Sequence, residues 1–173
     1  MRGNKGFTLI EMIIALGVFV ILMTSIAGVF LVVQRSQRTS LVKERLQTDA
    51  RYILDTMVGD IRTGAPDYSV APSPTTLNVK DEDGARILYQ RATVGCPVGS
   101  ASCILRQEGL VTAPITSAGV AVDAFTVIIS PSVPAGMKQP MVTLFLTLSS
   151  NEGLPNPVKL SIQTSASSRV YGP

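Results

Sequence analysis

The chain has 173 residues, enough for one modest domain with appendages rather than two full domains. It contains no histidine and no tryptophan, which removes the commonest acid–base group and metal ligand and leaves a standard nucleophilic triad without its base. The net charge of +3 arises before Asp67, and beyond that point acidic and basic residues balance, so strong nonspecific nucleic-acid binding is not expected of the C-terminal part.

The N-terminal stub MRGNKG carries Arg2 and Lys5 and is followed by an apolar run from Phe7 to Val33, interrupted only by Thr8, Glu11, Thr24 and Ser25 among polar residues. The uncharged part after Glu11 is about 22 residues, and at about 1.5 Å of helical rise per residue it spans a hydrocarbon core of about 30 Å. Positive charge before the run favours a cytoplasmic N-terminus. Arg35 and Arg38 after it weaken that rule, so charge alone leaves the orientation open. A secretory signal is the rival reading, because SIAG at positions 25–28 has the small residues of a cleavage site. The apolar run continues for five residues past it, unlike a signal that ends in a polar stretch. Glu11 has two readings: a carboxylate that favours the positive end of the helix dipole and snorkels, or one that pairs with a cation. No cationic side chain lies within reach along the same helix. Gly17 and Gly28 are too far apart for a GxxxG dimer motif.

GFTLIE followed by a long hydrophobic helix resembles the class III signal of type IV pilins and type II secretion pseudopilins. The resemblance implies that a prepilin peptidase cuts between Gly6 and Phe7 on the cytoplasmic side and that Phe7 becomes N-methylated. A glycine there lets the backbone open out and approach a protease closely. The cut removes the stub and leaves the anchor. Glu11 becomes the fifth residue of the mature chain, where the family carries a glutamate that pairs with the methylated N-terminus of a neighbouring subunit. The implied partners are prepilin peptidase, other pilin or pseudopilin subunits, an inner-membrane assembly platform and membrane lipid.

After Val33 the chain turns polar, and apolar residues recur at Leu41, Leu46, Ala50, Ile53, Leu54, Met57, Val58 and Ile61. This predicts an amphipathic helix continuing the transmembrane one, with the charges between Lys43 and Arg62 on a solvated face. TGAP at positions 63–66 is expected to stop it with a glycine cap. A single helix from Phe7 to about Arg62 is about 80 Å long. TLNVK and ARILYQR flank DEDG and read as a β-hairpin, with Gly84 supplying a positive φ. FTVIIS, MVTLFLTLS and VKLSIQTSA are three further strands, with surface loops between them. The expected fold is α+β and pilin-like, a long N-terminal helix on an antiparallel sheet. Its divisions are a leader at 1–6, a transmembrane helix at 7–33, an amphipathic helix at 34–64 and a β-rich head at 65–173.

Cys96 and Cys103 in CPVGSASC form a small disulfide loop in an exported domain and remain thiols in a cytosolic one; the export implied by the resemblance predicts a joined pair. DEDG is read as a charged turn and not as a metal site, since consecutive turn residues diverge. No cofactor is expected. SIQTSASSRV and YILDTMVGDIRTGA also look like segments of minor pseudopilins and minor pilins. Major pilins typically have proline where this chain has Gly28, and a disulfide near the C-terminus. These departures favour a minor subunit of a type II secretion filament or type IV pilus, held in the inner membrane with its head on the periplasmic or extracellular side. The alternatives are a DNA-uptake or adhesion minor pilin and, further off, a signal-anchored exported enzyme or binding protein.

Overall fold

The computed structural model describes residues 6, 8–132, 139–150, 152 and 156–169. Phe7 and the leader residues 1–5 lie outside the described residues. The protein is α+β: helix α1 (Leu9–Thr63) is followed by eight strands, all paired antiparallel. Residues 1–41 and 42–173 are two separate compact units.

In the first unit the helix buries nothing. Its apolar side chains from Leu9 to Val33 are all exposed on every face. In the second unit the same helix carries a buried stripe at Val42, Leu46, Ala50, Ile53, Leu54, Met57 and Ile61. The stripe starts at Val42, not at Leu41, which is 65% exposed. Leu41 is five residues before Leu46, about 140° around the helix, whereas Val42 is one turn away on the same face. Val58 packs at the margin of the core.

The sheet expected as one layer is two. The first sheet has the order β1 (Ala65–Pro66), β2 (Thr76–Lys80), β3 (Arg86–Ala92), β4 (Cys103–Glu108) and β5 (Val111–Pro114). The β2–β3 hairpin closes through the DEDG turn, with Gly84 at a φ of 77°. The second sheet is β6 (Ala121–Ser130), β7 (Met141–Ser150) and β8 (Val158–Ser167) in sequence order, with a register shift between Val122 and Ala124. Leu77, Val79, Ile87, Tyr89 and Ile104 from the first sheet share one core with Val122, Phe125, Val127, Leu144, Leu146 and Leu148 from the second and with the helix stripe.

Gly64 follows the helix, though not with positive φ. Its amide still donates to the Asp60 carbonyl at 2.9 Å, as in the helix. Glycine is required there because a Cβ would lie 2.2 Å from the Lys80 carbonyl oxygen of β2. The helix stops against the first sheet and needs no left-handed cap.

The charges between Lys43 and Arg62, expected on a solvated face, do not all end in solvent. Arg45 pairs with Glu152, and Asp49 accepts a 2.7 Å hydrogen bond from the Ser117 hydroxyl. Asp60 accepts from the Tyr89 hydroxyl and, at 3.2 Å, from Arg106 Nε. Burial first, and then the Asp60 carboxylate, push the Tyr89 hydroxyl pKa well above its ordinary value. The Asp60 bonds tie the helix to β3 and β4 of the first sheet, and those of Arg45 and Asp49 tie it to the chain after β7 and between β5 and β6.

Candidate functional site

The candidate site is the N-terminal end of α1. Thr8 precedes the first helical residue and acts as its N-cap: its hydroxyl accepts from the Glu11 amide at 3.3 Å, and its carbonyl accepts from the same amide at 3.1 Å. Thr8 and Glu11 thus stand in the T-x-x-E spacing of a capping box. Sequence reasoning passed over this role of Thr8, although the spacing is legible within TLIE. Glu11 lies in the first turn, where a negative charge favours the helix dipole.

What the first turn does not supply is a partner for the Glu11 carboxylate. Among the described residues no cation pairs with it, and the side chain is exposed within an apolar surface. The other polar residues of the run are satisfied within the helix. The Thr24 hydroxyl donates to the Val20 and Ile21 carbonyls at 3.1 and 2.9 Å, and the Ser25 hydroxyl to Ile21 at 2.9 Å. The Thr24 and Ser25 hydroxyls are thus satisfied within the helix, whereas the Glu11 carboxylate has no cationic partner among the described residues.

Gly6 is exposed, and a Cβ built on it meets nothing within 4 Å. Folding gives no reason for glycine there, in contrast to Gly64. The same holds for Gly17 and Gly28, where a Cβ also meets nothing and where glycine costs the helix about 1 kcal/mol relative to alanine. The helix contains an 18-residue stretch of mean hydropathy 2.7, which is long and apolar enough to cross a membrane by length and composition.

Elsewhere in the molecule, Cys96 and Cys103 are joined, with S–S 2.09 Å and Cα–Cα 5.5 Å. Cys103 is fully buried at the start of β4. At the DEDG turn the Gly84 amide donates to the Asp81 carbonyl and the Glu82 amide to the Asp81 carboxylate, with Glu82 and Asp83 directed to solvent. Among the described residues no three Asp, Glu or Cys side chains converge as metal ligands do.

Residues 1–27 match the family model described as the prokaryotic N-terminal methylation motif. Comparison with curated proteins and with solved structures finds no match. The matched segment contains Gly6, Thr8 and Glu11, and it supports a pilin-like chain with a prepilin-type N-terminus.

Proposed function

We propose that this protein is a structural subunit, of the minor pilin or minor pseudopilin kind, in a type IV pilus or type II secretion filament. The leader 1–6 is removed by a prepilin peptidase between Gly6 and Phe7, and the new amino group on Phe7 is methylated. The segment 7–33 anchors the chain in the inner membrane, with the head on the far side. Assembly through an inner-membrane platform then brings the helix beside those of other subunits. The chain performs no catalysis in this reading, in keeping with its lack of histidine.

The observation that carries the proposal is the Glu11 carboxylate in an apolar run, with no cation paired to it among the described residues. An unpaired charge in the apolar layer costs on the order of a few kcal/mol, so a helix that keeps one has a partner elsewhere. The methylated amine of a neighbour's Phe7 is a cation of the right depth. Pairing relieves the desolvation of both charges and sets the axial register of one subunit against the next. Gly28 and the position of Cys96 and Cys103 in the middle of the head support the minor-subunit reading over that of the main filament protein.

The test is Glu11→Ala. Its span is more apolar than the parent's, so insertion, cleavage and membrane level should be unchanged. Crosslinking to the other filament subunits in cells should fall sharply, because the neighbour's amine loses its counter-charge. Incorporation equal to the parent's at equal membrane levels would overturn the pairing role and return Glu11 to a helix-start carboxylate.

A further inference from the structure

Between Glu11 and Lys43 the only charged side chains are Arg35 and Arg38, and the proposed function uses neither. Both are exposed, and among the described residues neither pairs with a carboxylate. The next carboxylate in the chain is Glu44. In the head, by contrast, Arg45, Lys80, Arg86, Arg106 and Lys159 are all ion-paired. Arg35 and Arg38 stand three residues apart on α1, about 60° around its axis, so they share one face. Their depth is set by Val33, which ends the apolar run. At about 1.5 Å of rise per residue, Arg35 lies about 3 Å and Arg38 about 8 Å beyond it. The headgroup layer outside the hydrocarbon is about 5–8 Å thick on each side, so the pair spans the level of the lipid phosphates.

Positive charge at this end runs against the preference for cations on the cytoplasmic side, given a head on the far side. Removal of the leader, in the reading above, also takes away Arg2 and Lys5 and leaves Arg35 and Arg38 as the cations that flank the span. We infer that Arg35 and Arg38 bind the phosphates of anionic phospholipids in the leaflet facing the head. A guanidinium presents a planar fork of donors that matches a phosphate with two parallel hydrogen bonds. The long apolar stem lies along the helix while the charged tip reaches the headgroups. A zwitterionic headgroup brings its own ammonium to compete for the phosphate, and an anionic one does not. The pair therefore discriminates between lipids, each arginine contributing about a five-fold preference near an anionic surface. Carboxylates of a second copy do not fit the same place, because the chain has none at that depth, from Met12 to Lys43. The inference rests on membrane anchoring and not on the filament role.

The test uses the full chain inserted in vesicles of equal parts phosphatidylglycerol and phosphatidylcholine, with a spin-labelled lipid of each kind added in turn. The fraction of label held still beside the protein should show phosphatidylglycerol preferred several-fold over phosphatidylcholine. Arg35→Gln with Arg38→Gln should bring the two lipids close to parity at equal insertion. Arg51→Gln with Arg62→Gln removes the same charge from exposed positions of the helix in the head and should leave the preference intact. Absence of a preference in the parent, or a preference that survives loss of Arg35 and Arg38, would overturn the inference. So would an equal loss in the Arg51 and Arg62 variant, which would trace the preference to net charge. A parent indifferent to the lipid, whose Arg35 and Arg38 variant still loses crosslinks to filament subunits in cells, would assign the pair to a neighbour's acidic side chains instead. Failure of the parent to insert at all would overturn the anchoring, and the inference with it.

Discussion

The side chain of Asp67 has no contact with solvent and is ringed by donors. The Ser69 hydroxyl and amide both bond to it, the amide at 3.0 Å, while Lys80 Nζ lies at 3.2 Å and Arg86 Nε at 2.8 Å. Burial alone raises a carboxyl pKa. Here the Ser69 and Lys80 hydrogen bonds and the Arg86 charge outweigh it and hold the group at about 2. The folded value lies below the ordinary 3.8, so the contribution to stability is present in full above the unfolded pKa and is lost as pH falls through the folded one. The shift corresponds to on the order of 2 kcal/mol. Acidification from about pH 4 to about pH 2 should therefore weaken the head, read as a falling unfolding temperature. Asp67→Asn should be less stable than the parent at pH 7 and should lack this component of the acid response. An identical acid response in both proteins would show that the carboxylate is not the titrating group. Nothing in the local sequence marked Asp67, because its partners come from Ser69 and from both strands of a hairpin that forms only on folding.

At the scale of elements, legibility followed how completely one face of each element is apolar. The helix stripe and the three long strands read clearly, since Leu144, Leu146 and Leu148 alternate with residues turned outward. The start of β6 was missed because the register shift between Val122 and Ala124 breaks the alternation. β4 was missed altogether: only the consecutive Cys103 and Ile104 are buried, and Arg106, half-buried, pairs with the exposed Glu108 and with Asp60. A strand with two adjacent buried residues followed by charged ones has no period-two apolar signal. β5 is exposed at all four residues and offers no pattern either. Cys103 begins β4, and the loop it closes with Cys96 reaches across the head. The Gly119 amide donates to the Val98 carbonyl at 3.2 Å, the Ser100 hydroxyl to Ser117 at 3.2 Å, and the Ser102 hydroxyl to Val122 at 2.7 Å. Closing so short a loop contributes about 2–4 kcal/mol. Protein from an oxidising compartment should contain no free thiol, and replacing both cysteines with serine should lower stability by about that amount, read from denaturant unfolding. Two free thiols in such protein, or a double variant as stable as the parent, would contradict the bond's structural role.

At the scale of the molecule, one helix serves two solvents. From Val42 onward it belongs to a core built with both sheets, while from Leu9 to Val33 its apolar side chains are exposed far beyond the few hundred Å² a soluble surface tolerates. The two stretches differ in periodicity and not in helicity, which is why the boundary was readable at the polar residues after Val33. Removing the anchor would release the head, so the processing step that fits a filament subunit is one that keeps the anchor and trims only the stub. Gly6 allows a clean test of this. Its Cβ position is open, so Gly6→Leu introduces no clash and leaves both units folded. Any change in the mature chain is then attributable to the cut itself. Intact mass measurement on membrane extracts should show the parent beginning at Phe7 with one added methyl group, and Gly6→Leu retaining all residues of the stub at an equal membrane level. A mature chain beginning at Gly28 would mean that ordinary signal cleavage operates. Normal trimming of Gly6→Leu would mean that the peptidase does not read this glycine.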